Sequence, residues 1–251
     1  MRLPRRFAPR NDSNQPKQYI KGYVEFYKLR FKVTPDTLIP RPETELLVDE
    51  VLNSIKSINK KDILVVDVGT GAGNIAISIA KNTSQVKIIA VDISEKALKV
   101  AKQNAKLHSV ENRIKFIQSD LLSAVDCNLK PVTCNLIVVT NLPYIPSARI
   151  PYLDSSVKDF EPHIALDGGE DGFKLYRKLF QQIKQLSTPG VDSKLHTGCG
   201  DSKLKLIVCE IDYTHGELAA IEALKYFPDA RIKVNKDLAH LQRILLIFCS
   251  H

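Results

Sequence analysis

A glycine-rich stretch, DVGTGAG at residues 67–73, is the first part of the sequence whose residue types indicate a ligand. Glycine lets a backbone turn tightly and approach a bound molecule closely. The helix predicted to follow it offers free N–H groups to an anionic or carboxylate group. The spacing is G-x-G-x-G, whereas dinucleotide-binding loops have G-x-G-x-x-G. A tight turn between a strand and a helix, without any ligand, is the alternative.

Two aspartates follow the next apolar runs. Asp92 ends VKIIAVD at 86–92, where a carboxylate can accept hydrogen bonds from a ribose diol. A helix N-cap is its alternative role, and Asp92 does not distinguish NAD from S-adenosylmethionine, because both contain a ribose. Asp120 lies in SDL at 119–121, where it can receive the exocyclic amine of an adenine while Leu121 packs on the ring. An ordinary loop aspartate is the alternative there.

A third pattern, TNLPY at 140–144, has the composition of a receptor for a planar NH2 group. The side-chain oxygen of Asn141 can accept one N–H, and the backbone carbonyl of Leu142 can accept the other. With both hydrogens held, the nitrogen lone pair can be directed at a methyl group. Pro143 stiffens the turn, and the ring of Tyr144 can stack on a planar amide or base. An ordinary Asn-x-Pro turn is the alternative.

The elements that must position these residues alternate between apolar, strand-like runs and helical patterns. The predicted strands lie at 63–68, 86–92, 113–118, 135–140, 204–211, 231–234 and 243–249. The predicted helices lie at 74–81, 94–107 and 216–226, with another ending near residue 186. Each candidate segment follows one of the first four strands, so all should meet at the carboxyl edge of a mostly parallel sheet. The predicted fold is α/β, a Rossmann-like doubly wound sheet that ends in an antiparallel strand pair.

Composition and charge exclude several classes of protein. The 251 residues are 44% hydrophobic and 25% charged, as in an ordinary globular protein. No apolar run is long enough to span a membrane, and the N-terminus lacks the apolar segment of a secretory signal. The net charge of +8 is concentrated in the first 30 residues, which carry eight basic and two acidic side chains. This indicates a basic tail, with an organellar presequence as the alternative. The five scattered cysteines indicate a reduced, cytoplasmic protein without a metal site.

Further stretches distinguish the sequence from other proteins with a glycine loop and NLPY. They are QYIKG at 18–22, LIPRPETEL at 38–46, NLPYIP at 141–146, FEP at 160–162, ALDGG at 165–169, KDLA at 236–239, and Glu210 with Gly216. The glycine loop and NLPY resemble the class I methyltransferases that methylate amino groups. Together with these stretches, over residues 15–251, they resemble the peptide chain release factor N5-glutamine methyltransferases.

The resemblance implies a substrate, a cofactor and the residues that bind them. It implies methyl transfer from S-adenosylmethionine to the side-chain amide of the glutamine in the Gly-Gly-Gln motif of class 1 release factors, without a membrane partner. The implied cofactor-binding residues are Gly69, Thr70, Gly71, Ala72, Gly73, Asp92, Asp120, Leu121 and Asn141. The implied glutamine-binding residues are Asn141, Leu142, Pro143 and Tyr144. Of these, the implied catalytic residues are Asn141, Pro143 and Tyr144.

The sequence departs from that family's pattern at two places. Leu142 stands where members usually have proline, and only about 14 residues stand where members have an N-terminal helical domain. We therefore expect a basic tail at 1–14 and a hairpin-like region with a linking helix at 15–58. A methyltransferase domain should follow at 59–251, with an inserted loop at 188–203.

Two other functions stay open at this point. NLPY is also the form found in the rRNA adenine dimethylases, which makes an RNA adenine-N6 methyltransferase the runner-up. Only under that alternative do we expect a nucleic acid partner. The other function is that of a catalytically idle homologue that binds the cofactor or a partner.

Overall fold

The structure, a computed structural model, describes residues 14–58, 62–125, 135–187 and 203–249. The predicted tail at 1–14 and the inserted loop at 188–203 therefore lie almost wholly outside the described residues. The helices are α1 (Lys17–Lys21), α2 (Glu45–Ser57), α3 (Asn74–Asn82), α4 (Glu95–Leu107), α5 (Ser155–Lys158), α6 (Lys174–Ser187) and α7 (Gly216–Tyr226). The strands are β1 (Tyr23–Phe26), β2 (Leu29–Lys32), β3 (Ile63–Val68), β4 (Val86–Asp92), β5 (Ile114–Gln118), β6 (Asn135–Thr140), β7 (Lys203–Glu210), β8 (Arg231–Lys236) and β9 (Gln242–Phe248). Among the described helices, none is long and apolar enough to cross a membrane.

Seven of the strands form one sheet, in the order β5-β4-β3-β6-β7-β9-β8. Strands β3 to β7 are parallel to one another, and β9 is antiparallel to both β7 and β8. The chain moves outward from β3 to β5 and then returns to β6 on the other side of β3. The strand order therefore reverses between β3 and β6, and ligands of open α/β sheets bind beside such a reversal. The predicted α/β fold with its C-terminal antiparallel pair is confirmed.

Apolar side chains cover both faces of this sheet. On one face α2 and α3 contribute side chains such as Leu47, Val51 and Ile77, which are fully buried. On the other face α6 contributes the fully buried rings of Tyr176 and Phe180. Because neither face of the central strands meets water, their sequences are continuous apolar runs without alternation.

The segment before β3 is joined to this core. Strands β1 and β2 form an antiparallel hairpin, and the buried amide of Asn104 on α4 ties that hairpin to the glycine loop. Its Oδ1 accepts the backbone N–H of Lys32 at 2.7 Å. Its Nδ2 donates to the carbonyl oxygens of Lys32, at 3.0 Å, and Ala72, at 2.8 Å. One side chain therefore fixes the hairpin, α4 and the loop relative to each other.

Candidate active site

A cavity of about 830 Å³ opens at the carboxyl ends of the parallel strands. Its volume is in the range that holds a small-molecule ligand. The predicted site residues that line it are Gly69, Gly71, Asp92, Asp120, Leu121, Asn141, Leu142 and Pro143. The predicted site residues that do not line it are Thr70, Ala72, Gly73 and Tyr144. In the part of the chain that the structure describes, no group of His, Cys, Asp and Glu could hold a metal ion.

The glycine loop presents bare backbone to this cavity and packs its other residues inward. Gly71 has a left-handed φ of +56°, and a Cβ there would enter open space. Gly73 supports the loop from behind, because a Cβ on it would lie 3.1 Å from the Cβ of Ala101. Ala72 is also packed inward, at 1% exposed. Only some of the glycine loop is therefore available to a ligand.

Asp67, at the end of β3, organises the loop from inside the protein. Its Oδ2 accepts the hydroxyl of Thr70 at 2.6 Å and the backbone N–H of Ala76 at 3.2 Å. Its Oδ1 is buried and has no hydrogen-bond partner among the described residues. Burial raises the pKa of Asp67 to about 7, although both hydrogen bonds oppose the rise.

Asp92 holds the loop and faces the cavity at the same time. Its Oδ2 accepts the backbone N–H of Gly71 at 2.8 Å, and its Oδ1 accepts that of Ser94 at 2.8 Å. Burial raises the pKa of Asp92, and these N–H groups oppose the rise. Each carboxylate oxygen retains capacity to accept a further donor. The side chain that caps α4 is that of Ser94, whose hydroxyl accepts the N–H of Ala97.

Asp120 and Leu121 are positioned by helix α6. The Oδ2 of Asp120 accepts from the Nζ of Lys178 at 2.5 Å, and both side chains are 47% exposed. Leu121 has a left-handed φ of +54°, which persists only where the surroundings fix the backbone. The next residue, Leu122, donates its N–H to the Oε1 of Gln182 at 2.9 Å. A ligand that binds Asp120 must therefore share its carboxylate with Lys178.

Asn141 begins a chain of hydrogen bonds that leads away from the cavity. Its Nδ2 donates to the Oγ1 of Thr44 at 3.1 Å, and that hydroxyl donates to the Oε2 of Glu210 at 2.6 Å. The other carboxylate oxygen of Glu210 accepts the hydroxyl of Tyr144 at 3.1 Å. Burial raises the pKa of Glu210, and both hydroxyls, together with Arg243, oppose the rise. The hydroxyl of Tyr144 is thus directed at Glu210, and stacking of its ring on a substrate stays a prediction.

Leu142 is anchored in the protein core at the position where the family usually has proline. Its side chain is 4% exposed, and its Cδ2 lies 3.2 Å from the place that a Cβ of Gly69 would occupy. Its carbonyl oxygen lies 3.2 Å from the hydroxyl of Tyr176. That hydroxyl also lies 2.5 Å from the backbone carbonyl oxygen of Glu210. The loop after β6 is therefore fixed to both the glycine loop and the end of β7.

Gly168 of the ALDGG motif and Gly172, three residues after that motif, pack against the backbone of the same loop. Gly168 donates its N–H to the carbonyl of Ile145 at 2.9 Å. A Cβ on Gly168 would lie 2.8 Å from the carbonyl oxygen of Pro143. A Cβ on Gly172 would lie 2.2 Å from the carbonyl oxygen of Tyr144. Side chains at these positions would displace the loop that carries Asn141.

The segment 39–44, which holds most of the IPRPETE motif, joins the site to the FEP motif. Glu161 is 5% exposed, and its Oε2 accepts the backbone N–H of Ile39 at 3.0 Å. Its Oε1 accepts from the guanidinium of Arg41. At the other end of the segment, Thr44 contacts Asn141 and Glu210. The two motifs therefore meet beside the cavity at an ion pair in which Glu161 is buried and Arg41 is partly exposed.

Sequence reasoning did not assign a role to Thr44, Glu161, Glu210 or Lys178. The first three lie in stretches that carried the family resemblance. Their positions could therefore be recognised from the sequence, but the residues to which they hydrogen-bond could not. Lys178 carried no signal, because it is one of the lysines on the exposed side of α6.

The fold and this site define the class of the protein. Residues 59–191 match the model of a methyltransferase domain. The structure is similar to the hMettl16 catalytic domain that was crystallised with MAT2A 3'UTR hairpin 6. The TM-score is 0.65 at 14% sequence identity, and the alignment covers 90% of this chain and 77% of that one. At that identity the likeness shows the fold alone, and the fold is that of the S-adenosylmethionine-dependent methyltransferases.

Curated relatives define the family within that class. A release factor glutamine methyltransferase of Koribacter versatilis is 42% identical over 176 residues, which is 70% of this chain and 60% of that protein. One of Thermodesulfovibrio yellowstonii is 34% identical over 93% of this chain and 76% of that protein. One of Lactococcus lactis is 32% identical over 98% of this chain and 82% of that protein. The chain belongs to the release factor glutamine methyltransferase family, which confirms the resemblance seen in its motifs.

Proposed function

We propose that this protein transfers a methyl group from S-adenosylmethionine to the side-chain amide nitrogen of the Gly-Gly-Gln glutamine in a class 1 release factor. One observation carries the proposal: Asn141, Leu142 and Pro143 line the same cavity as Gly71 and Asp92. The proposed receptor for a planar amide and the proposed cradle for a nucleoside cofactor thus share one space, as direct methyl transfer requires. The names of the relatives support glutamine as the acceptor and a release factor as the substrate.

The residues on the glycine-loop side of the cavity fit the cofactor. Gly71 leaves open space above the backbone, and Asp92 can accept two ribose hydroxyls beyond its two backbone bonds. Asp120 and Leu121 also line the cavity, and we assign them to the adenine. When bound, S-adenosylmethionine supplies a methyl group that is electrophilic because it is attached to a sulfonium.

We assign the residues after β6 to binding and orienting the substrate amide, whose nitrogen is a weak nucleophile. An amide nitrogen shares its lone pair with the neighbouring carbonyl, so orientation must supply much of the rate. We assign one N–H of the substrate amide to the Oδ1 of Asn141 and the other to the carbonyl oxygen of Leu142. Holding both hydrogens directs the lone pair toward the cofactor side of the cavity. Pro143 and Tyr144 restrict the loop that carries these two acceptors.

Mass spectrometry after incubation with labelled cofactor tests the proposal. The substrates are a full-length class 1 release factor, a Gly-Gly-Gln peptide and ribosomal RNA, each in a separate reaction. We expect one added methyl group on the glutamine. Asn141→Ala should lower the rate by roughly 100-fold or more, by analogy with the loss of one positioned polar group. Near-normal turnover of this variant would contradict the assignment of Asn141.

The same reactions test the competing functions. The exocyclic amine of adenine is also a planar NH2 group, and NLPY is compatible with it. If the RNA is methylated while the peptide and the release factor are not, the acceptor is adenine rather than glutamine. Cofactor binding without turnover on any of the three substrates would indicate an idle homologue. If a release factor is the substrate, the enzyme works in a compartment where translation takes place, and we propose that this is the cytoplasm.

A further inference from the structure

We propose that Thr44 and Glu210 are positioning residues that set the orientation of the side-chain amide of Asn141. The inference rests on the proposed function, since it concerns which atom of Asn141 faces the acceptor amide. An asparagine side chain ends in an oxygen and an NH2 group of nearly the same size. Its shape therefore does not decide which of the two faces the cavity. Only the oxygen can accept a substrate N–H.

The direction of the hydrogen bonds decides this orientation, beginning at Glu210. The hydrogen bonds from Thr44 and Tyr144 and the charge of Arg243 favour the ionised form of Glu210, although burial opposes it. In that form Glu210 has acceptors and no donor, so a hydroxyl bound to it must give its single hydrogen to it. The hydroxyl of Thr44 lies 2.6 Å from the Oε2 of Glu210, a short distance typical of such a charge-assisted bond. The Thr44 oxygen then has only lone pairs for its next neighbour. The Asn141 atom 3.1 Å away must therefore be the nitrogen, which turns Oδ1 away from Thr44.

Glu210 is held in the acceptor role from a second side. Its Oε1 receives the hydroxyl of Tyr144 at 3.1 Å, so each carboxylate oxygen has its own hydroxyl donor. The hydroxyl of Tyr176 fixes the Glu210 backbone through the carbonyl oxygen at 2.5 Å. Glu210 is 1% exposed and Thr44 is 2% exposed. Water therefore has little access to reverse the bond between them.

The opposite orientation of Asn141 is disfavoured by the same geometry. It would place the Oδ1 of Asn141 against the lone pairs of the Thr44 oxygen, where no hydrogen is available. It would also point the NH2 group at the substrate NH2, so that two donors would face each other. The substrate amide would then lose one of the two acceptors that hold it.

Substitutions that break or reverse this chain of bonds test the proposal by kinetics. Thr44→Val keeps the shape and removes the hydroxyl, so kcat for a Gly-Gly-Gln peptide should fall by roughly 30-fold or more. Thr44→Ser restores the hydroxyl and should stay within about threefold of the unsubstituted protein. Glu210→Gln can place an NH2 group against the hydroxyl of Thr44. That hydroxyl would then donate to Asn141 and reverse the orientation of the Asn141 amide. We expect this variant also to lose kcat. The affinity for S-adenosylmethionine, measured by calorimetry, should change little in all three.

Thr140→Val is the matched control. Thr140 is a fully buried threonine next to Asn141, and its hydroxyl donates to the backbone carbonyl of Val68 at 2.7 Å. Its replacement removes one buried hydrogen bond without removing the donor to Glu210. We expect kcat within about threefold of the unsubstituted protein. A similar kcat in Thr44→Val and Thr140→Val, or an equal loss in Thr44→Ser and Thr44→Val, would overturn the proposal.

Nuclear magnetic resonance gives a second readout that does not depend on activity. The side-chain NH2 resonances of Asn141 are assigned as the pair that is missing in Asn141→Ala. In the unsubstituted protein and in Thr44→Ser, one hydrogen of the pair should exchange slowly with solvent. In Thr44→Val and Glu210→Gln, that protection should be lost. Unchanged exchange in both variants would refute the orientation, whereas a protein that methylates no glutamine would refute the proposed function and leave this readout decisive.

Discussion

Replacing Asn104 by alanine removes the side chain that joins the N-terminal hairpin, helix α4 and the glycine loop. The amide makes three hydrogen bonds of 2.7 to 3.0 Å, each worth about 1 kcal/mol net. Two of them go to the backbone of Lys32, an exposed residue that water can reach. The third goes to the buried carbonyl of Ala72, and leaving it without a donor costs about 1–3 kcal/mol more. The free energy of unfolding should therefore fall by about 4–6 kcal/mol.

Urea denaturation of the two proteins measures this loss, and Asn82→Ala is the matched control. Asn82 is exposed at the end of α3, and among the described residues it donates only to the carbonyl of Ser78, at 2.8 Å. Its removal should therefore cost no more than about 0.5–1 kcal/mol. The affinity for S-adenosylmethionine should also fall in Asn104→Ala, because Ala72 belongs to the glycine loop. A loss of stability no larger than that of the control would refute the view that Asn104 fixes the loop.

Three further predictions concern the cavity and the residues behind it. Asp92→Ala should weaken S-adenosylmethionine binding by about 1.5–3 kcal/mol, the range for lost charge-assisted hydrogen bonds, and unchanged affinity by calorimetry in a folded variant would remove Asp92 from the site. Leu142→Pro keeps the acceptor carbonyl but removes a buried side chain, so the free energy of unfolding should fall by about 1–3 kcal/mol. Peptide methylation should persist. A gain in stability would contradict the observed packing of Leu142. Asp67 has a pKa of about 7 in the folded protein, and the ordinary value is 3.8. The folded state therefore binds the proton more tightly than the unfolded state. The free energy of unfolding should fall by about 4 kcal/mol in all as the pH rises between these two values. Asp67→Asn should remove this part of the pH dependence, and urea midpoints with the same pH slope in both proteins would count against it.

The fold was predictable because strands that are buried on both faces of the sheet have continuous apolar sequences. The run at 63–68 is strand β3 as predicted, and the last strand, predicted at 243–249, is observed at Gln242–Phe248. It was also predictable that Gly71, Asp92 and Asn141 would lie at one cavity. Each follows a strand of a parallel sheet, and parallel strands end at one edge.

The supporting residues were not predictable from local patterns. Thr44 lies 97 residues before Asn141 and 166 residues before Glu210, and side chains so far apart have no spacing rule that would link them. Within the glycine loop, the sequence did not show which positions face a ligand. That depends on neighbours such as Ala101, which fills the space behind Gly73.

The distance along the chain between Thr44 and Glu210 has a consequence for biosynthesis. A ribosome that adds about 5–20 residues per second needs roughly 8–30 s to proceed from one to the other. In the last part of that interval, after Tyr144 has been added, the emerging polypeptide contains all twelve predicted site residues. It lacks the carboxylate at the end of β7 that binds the hydroxyls of both Thr44 and Tyr144. A nascent chain that stops after the NLPY loop would therefore contain all twelve predicted site residues and still have an Asn141 side chain that is free to turn.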